Sequence, residues 1–503
     1  MWTIKPRHTP VSTSSGRKAT LLLTGLLLGL LFFTVINRPF SLLYKYVHSE
    51  KTLSKVAEEL NQHRIQAAKE YFVRTRDAGS RQVAHVGKTK LHDGQTAEGN
   101  RNDQQQKHGS PRGRAMLSQA GVTIAIVSVK RQASAQSIGY VIQSAAALDS
   151  LLGQQESDNL FADSVLFVCN VDDHPELHSD AGFLKDYVAF VERYGVSSSE
   201  FGVNFSMTIP GTKGKFYREV RHESVYDKER VDYMFCLQAA WHFRSQYVLI
   251  VEDDALALPE MPSVVQHTLH RLTNTLVTPV RSWTGERESD SLLSSKPCPS
   301  GLGTRGSNGN EPEVFDSAFS GQSGSSSGFV YLKLFFPLYW QGFAYELIRI
   351  LDLVCMTVIL AFVVIVLLQM TVHRRRLPSN RTIGVVIVFS LASCVLLGRQ
   401  NVNEIRRLSR YFFRLQSSPE CCTPAVLYPC DVAPALLTSL SRCRSNRHVD
   451  MCIADFVKRS GLPAYSLEPN LFSHVGMVTS LNMGNKHPEE LLFHSKFTQF
   501  STS

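Results

Sequence analysis

The densest chemistry in this chain lies at Tyr247–Leu258, YVLIVEDDALAL, where a run of buried-strand character ends abruptly in Glu252, Asp253 and Asp254. Three adjacent carboxylates at a strand end repel one another unless a cation neutralises them. Hard oxygen donors in such a place suit Mg²⁺ or Mn²⁺, held jointly with a substrate diphosphate. The same letters also fit an acidic loop or helix N-terminus, where aspartate is common.

The elements that must position these acids can be read outward from them. Val122–Val129 and Ser164–Val171 are apolar, β-branched strand patterns, and Tyr247–Val251 is a third. Helical stretches at Tyr140–Leu152 and Asp227–Phe243 alternate with them, which predicts an α/β domain with a mainly parallel sheet flanked by helices. Phe329–Phe336 resumes a strand pattern, and after a long apolar interruption Ala425–Tyr428 reads as a strand and Asp450–Ser460 as a helix. Neither half looks complete, so one domain is expected in two parts, 119–272 and 399–503, with a strand and membrane approach at 329–346. Between them, the Ser/Gly/Pro-rich stretch 273–328 reads as a disordered insertion. Upstream, Tyr44–Tyr71 predicts a stem helix with Leu53, Val56, Leu60 and Ile65 on its apolar face. Thr75–Ser118 reads as a flexible linker, closing a stem region of 38–118.

With 503 residues, 43% of them hydrophobic and 19% charged, the chain has room for one large domain or two ordinary ones. Its net charge of +9 shows no nucleic-acid signature, and no nucleic-acid partner is expected. Many basic residues lie instead in the N-terminal tail and between two apolar runs, which is a membrane-topology pattern. The first apolar run predicts an uncleaved transmembrane signal-anchor at 19–37 after a cytosolic tail at 1–18. A cleaved signal peptide is the rival, but no small-x-small site follows. Two more runs predict a transmembrane hairpin, 347–371 and 382–398, around a basic cytosolic loop at 372–381; two buried helices of a soluble core would look similar. In this topology the folded domain is lumenal, Asn204 is a usable glycosylation site and Asn380 is not. The ten cysteines include no CxxC pair; Cys355 and Cys394 fall in apolar runs as buried thiols, and the other eight could form disulfides in a lumen.

EDD after a strand resembles the DxD-type motif of GT-A glycosyltransferases, which bind a nucleotide-sugar through a divalent metal. Four further segments, DKERVDYMFCLQ (Asp227–Gln238), VYLKLFFP (Val330–Pro337), ECCTPAVLYP (Glu420–Pro429) and YSLEPNLFSHVGMVTSL (Tyr465–Leu481), make the likeness narrower. Together they resemble the Golgi N-acetylgalactosaminyltransferase family that adds a side-branch GalNAc to glycosylphosphatidylinositol (GPI) anchors. That family has a GT-A domain split by a transmembrane hairpin, with one N-terminal anchor. LFSHVG also resembles the branching N-acetylglucosaminyltransferases of N-glycans.

The resemblance implies roles. Val129, at the end of the first strand, would meet uridine through its backbone. Asp232 would hold the nucleotide or orient a neighbour, or be a plain helix-surface acid. Asp254 would ligate Mn²⁺ (or Mg²⁺), with Glu252 and Asp253 placing ribose and diphosphate, and Thr423 and Pro424 would line the donor sugar. Asp450 falls where the family has its carboxylate base, although a helix N-cap has the same appearance. His474 would be a late metal ligand or a structural histidine. Cys169 and Cys236 would form a bridge; Cys421 and Cys422 would form a vicinal disulfide or stay separate. The implied activity is inverting, Mn-dependent transfer from UDP-GalNAc to a GPI mannose, by a multi-pass Golgi membrane protein acting on GPI-anchored proteins or glycolipid. The rivals are a GT-A transferase with another UDP-sugar or an N-glycan acceptor, and a non-catalytic membrane scaffold.

Overall fold

The computed structural model describes residues 25, 28–77, 121–131, 138–194, 209, 216–276, 328–343, 347–371, 379–478 and 488–495. They fall into two compact units, a larger one of 59–336, 410–486 and 494–503 and a smaller one of 1–58, 337–409 and 487–493. Asn204, the basic residues 373–376 and most of the insertion and linker lie outside the described residues.

In the larger unit, helix α1 (Glu50–Asp77), which starts in the smaller one, is followed by β1 (Val122–Ser128), α2 (Tyr140–Leu152), β2 (Val165–Asn170) and β3 (Ala189–Glu192). Next come α3 (Val225–His242), β4 (Tyr247–Glu252), β5 (Ala255–Ala257), α4 (Met261–Leu276) and β6 (Leu332–Lys333). The remainder is β7 (Arg414–Ser417), β8 (Ala425–Pro429), α5 (Ala433–Ser441), α6 (Val449–Ser460), β9 (Tyr465–Glu468) and β10 (Phe472–His474).

Eight strands form one sheet in the order β3-β2-β1-β4-β8-β6-β9-β7, and β5 and β10 make a separate antiparallel pair. The four strands from β3 to β4 run parallel. Beyond them the sheet is mixed, with β8 antiparallel to β4 and β6. β6 and β9 are again parallel, so the central sheet is mostly parallel, as expected.

β1 is apolar on both faces because both are covered, as the β-branched run VTIAIVS requires. Ile124 and Ile126 join a core with α1, α2 and α4, whereas Ala125 joins one with α3, α5 and α6. A Cys169–Cys236 disulfide ties β2 to α3, with Cα atoms 5.9 Å apart, and Cys443–Cys452 links the end of α5 to α6.

Two expectations need correction here. α1, expected as a stem helix, packs on the core of the larger unit: Arg64 donates to Gln143 Oε1 at 2.9 Å, Tyr71 to Asp149 Oδ2 at 2.6 Å, and Phe72 is buried against Phe183 and Tyr187. Its packed face also differs from the predicted stripe, because Val56 is exposed whereas Asn61, Arg64 and Ala68 are buried. Second, residues 273–276, assigned to the insertion, complete α4.

The smaller unit contains two helices long and apolar enough to cross a membrane, Leu347–Met370 and Asn380–Leu397, each with only 22% of its apolar window buried. Such exposure does not suit the core of a soluble domain. Ala361, Val364 and Val386 pack the pair together. Asp352 near the start of the first helix is paired with Arg399 at 2.8 Å and Arg406 at 3.4 Å, which offsets the cost of its burial. Cys394 is buried as expected, but Cys355 is exposed and takes no part in the packed cluster of Ala361, Val364 and Val386. Of the N-terminal apolar run, a ten-residue helix, Leu28–Asn37, is described. Leu42 then donates its N–H to the Leu396 carbonyl, and Gly398, at φ 80°, leaves room for the Phe40 carbonyl, which a Cβ there would meet at 2.5 Å.

Candidate active site

Strand order creates the site. From β1 the chain moves to β2 and β3 on one side, then returns through α3 to place β4 on the other, so the carboxyl ends of β1 and β4 flank a topological switch point. Ligands of open α/β sheets sit in such crevices. Residues 128–131 leave β1 there and Glu252–Asp254 leave β4, with the Asp253 N–H donating to the Val127 carbonyl at 3.1 Å. Ser144 of α2 donates to the carbonyls of Asp253 and Ala255, fixing the turn after β4.

The β5–β10 pair brings the distant histidine in. His474 pairs with Ala255, and the Val475 N–H donates to the Asp254 carbonyl at 2.8 Å. His474 Nε2 thereby lies 3.1 Å from Asp254 Oδ2, with both side chains almost fully buried. Gly476 is required beside them: a Cβ there would fall 2.0 Å from Asp254 Oδ2.

Arg131, unremarked in the sequence, is the cation of this cluster. Its Nη2 is 2.5 Å from Asp253 Oδ1, its Nη1 is 2.7 Å from Asp254 Oδ2, and Nη1 also donates to the Val478 carbonyl. Burial works against its charge, but the Asp253 and Asp254 carboxylates more than compensate and raise its pKa. Ser128 Oγ donates to Asp253 Oδ2 at 3.2 Å and contacts His178 Nε2 at 2.9 Å. Burial pushes His178 towards its neutral form.

A second group adjoins the first through β8. Glu252 N–H donates to the Pro424 carbonyl, and Thr423 Oγ1 to Glu252 Oε1 at 3.2 Å. Thr423, Asp450, Lys333, Tyr331 and Glu420 line one pocket. Asp450 is in the first turn of α6, whose N-cap is His448, so it is not the cap. Its Oδ2 accepts from the Cys422 N–H at 3.0 Å and its Oδ1 from the Met451 N–H at 2.7 Å. Glu229 of α3 sits nearby, its carboxyl raised to about 7 by burial and by the Asp450 charge.

Lys333 supports the loop that carries these contacts. Its Nζ donates to the carbonyls of Pro419 and Cys421 at 2.8 and 2.6 Å, and burial pushes its pKa down to about 8. A lysine inside the apolar strand VYLKLFF was the sequence signal for it. Cys421 and Cys422 remain thiols with sulfurs 2.7 Å apart, beyond the roughly 2.05 Å of a disulfide. Of the alternatives open for Cys421 and Cys422, the structure thus records the unbonded one and not the vicinal disulfide; Lys333 holds the Cys421 carbonyl, and Asp450 holds the Cys422 amide.

The remaining predicted residues lie as follows. Val129 leaves β1 packed against the α3-side core. Asp232 is buried and ion-paired to Arg193 and, at 2.7 Å, to Lys228, so it orients those cations. It is not a helix-surface acid.

A metal can be tested against this arrangement. Ligands side by side on an ion with bonds of about 2.1 Å lie about 3 Å apart, close to the Asp254–His474 separation of 3.1 Å. Gly476 leaves room for the Asp254 carboxylate itself, and Arg131 already shows that a cation is accommodated beside Oδ2. Among the described residues no group of three or more His, Cys, Asp or Glu is arranged to hold a metal. The remaining ligands would thus come from diphosphate and water, as is usual for Mg²⁺. The residues fit such an ion.

A mostly parallel α/β sheet with acids and a cation gathered at its switch point defines an α/β protein with a candidate ligand site there. The family comparison agrees in kind. The model of the GPI-N-acetylgalactosamine transferase PGAP4 matches residues 122–285 and 312–473, and the chain belongs to this family of glycosyltransferases. The match begins at the first residue of β1 and stops one short of His474. It also includes 273–285 and 312–328, so the unmatched stretch is narrower than the predicted insertion.

Proposed function

We propose that the chain transfers GalNAc from UDP-GalNAc to a mannose of a GPI glycan, inverting the anomeric carbon. Family membership carries this reading, because it supports both the sugar and the acceptor class. The site geometry supplies the roles.

Asp450 accepts the acceptor hydroxyl proton as that oxygen bonds to the anomeric carbon. The bond from that carbon to the diphosphate oxygen breaks, and its electron pair leaves with UDP. The Cys422 and Met451 amides orient the Asp450 carboxylate. Thr423 and Pro424 line the donor sugar, Glu252 and Asp253 face ribose and diphosphate, and the Val129 backbone meets the uracil. A divalent ion, Mn²⁺ or Mg²⁺, held by Asp254 and His474 would neutralise charge on the departing diphosphate.

The two apolar helices fit membrane association; on this reading the chain is a multi-pass Golgi membrane protein with the larger unit lumenal and loop 372–381 cytosolic. Sharing a membrane with a lipid-anchored acceptor raises its effective concentration.

The test uses the detergent-solubilised full chain with GPI glycan, UDP-GalNAc and Mn²⁺. A β-linked GalNAc product, lost with chelator, is the expected result. Transfer of another sugar in preference would overturn the donor, and absence of both transfer and metal-dependent UDP release would favour the scaffold.

A further inference from the structure

Asp254 Oδ2 is claimed twice. Arg131 Nη1 lies 2.7 Å from it and His474 Nε2 3.1 Å from it. An ion ligated by Asp254 and His474 would approach an oxygen that Arg131 already holds, and two positive centres cannot both lie close to it without repulsion. Arg131 is also no surface residue leaning in. Its side chain is 7% exposed and bridges both carboxylates, and its guanidinium lies 5.3 Å from the centre of the Tyr140 ring. The turn after β10 closes over this arrangement, because the Val478 carbonyl accepts from Arg131 and the Met477 N–H donates to the Tyr140 hydroxyl.

We propose that Arg131 is an internal counter-cation that occupies the metal position of the resting protein and is displaced by the divalent ion. This rests on the metal reading given above. In the absence of metal, Arg131 neutralises a buried acidic pair that would otherwise repel itself. Metal must then compete with a covalently tethered cation, so the ion alone binds weakly. Once displaced, the guanidinium has lost two carboxylate partners, and the diphosphate of the donor is an anion of matching geometry. Metal and UDP therefore bind with positive coupling, each making the other's binding easier. The arrangement keeps the site from loading a metal ion in the absence of nucleotide.

The test measures Mn²⁺ binding by calorimetry on the solubilised full chain, without acceptor and without any assay of transfer. Arg131→Ala should bind Mn²⁺ alone about tenfold more tightly than wild type, within the usual range of coupling between sites. The extra tightening produced by UDP should shrink in the variant. Its melting temperature without metal should fall, and Mn²⁺ should restore more of it than in wild type. Arg131→Lys, which keeps one charge but cannot bridge both carboxylates, should lie between the two and serves if the alanine variant does not fold. Equal or weaker Mn²⁺ binding in both variants, with Asp254→Asn abolishing it, overturns the counter-cation and leaves the metal site standing. Failure of wild type and variants alike to bind Mn²⁺, with or without UDP, overturns the metal site and the inference together.

Discussion

The N–H of Cys422 donates to Asp450 Oδ2 at 3.0 Å, and the Cys422 backbone holds φ at 74° at that point. A non-glycine residue in the left-handed region costs about 1 kcal/mol. The loop after Lys333's two carbonyl contacts is thus held in a less favoured conformation that aims an amide at one carboxylate. Asp450→Asn keeps the shape and loses the proton acceptor. Transfer should fall by roughly 10²–10⁴-fold, the usual contribution of a general base, while Mn²⁺ and UDP bind as in wild type. Near wild-type transfer would return Asp450 to a purely structural part.

Gly476 offers a test of the other half of the site. In Gly476→Ala the new methyl falls 2.0 Å from Asp254 Oδ2, so the carboxylate or the β10 turn must move. Overpacking of this kind costs about 1–3 kcal/mol. A folded but slightly less stable protein is expected, with Mn²⁺ binding weakened as it is in Asp254→Asn and His474→Ala. Unchanged Mn²⁺ binding in all three would remove these residues from the metal site.

Glu229 gives the site a pH signature. Its carboxyl is pushed up to about 7 in the folded chain from the ordinary 4.5, by burial first and the Asp450 charge second. The folded state therefore holds a proton that the unfolded state has lost. The resulting stabilisation is complete below the unfolded pKa and disappears as pH rises through about 7. Its size is at most about 3 kcal/mol. Glu229→Gln, which cannot ionise, should remove this fall when melting temperatures are compared between pH 5 and 8. Parallel curves for the two proteins would show that Glu229 does not titrate there.

Membrane topology can be checked by glycan mapping in cells. Asn204 should carry a glycan and Asn380, at the start of the second hairpin helix, should not. A glycan on Asn380 would invert the proposed hairpin.

Much of this site was legible in the letters, for identifiable reasons. β1 and β4 are continuous apolar runs that could only be covered strands, and the abrupt EDD after β4 stood out against them. His474 and Asp450 needed the family resemblance, because a single histidine or a first-turn aspartate has no periodicity to mark it. Arg131 and Gly476 were missed because their meaning depends on contacts between segments far apart in the chain: Arg131 meets Asp253 across neighbouring strands, and Gly476 meets Asp254 through the β5–β10 register. The α1 face was misjudged for a related reason. Asn61 and Arg64 are polar, and only α2 supplies the Gln143 partner that allows them to be buried.

The position of β8 between β4 and β6 has a consequence for how the protein is made. β4 is translated long before β8, and the two hairpin helices come between them. At ordinary ribosomal speeds the gap lasts on the order of ten seconds. During that time the four parallel strands can assemble, but the outer edge of β4 has no neighbour, and an open edge of this kind invites pairing with the wrong chain. A nascent chain stalled or truncated within the hairpin would thus expose YVLIV as a bare edge. Quality control that recognises unpaired strands would find its signal there.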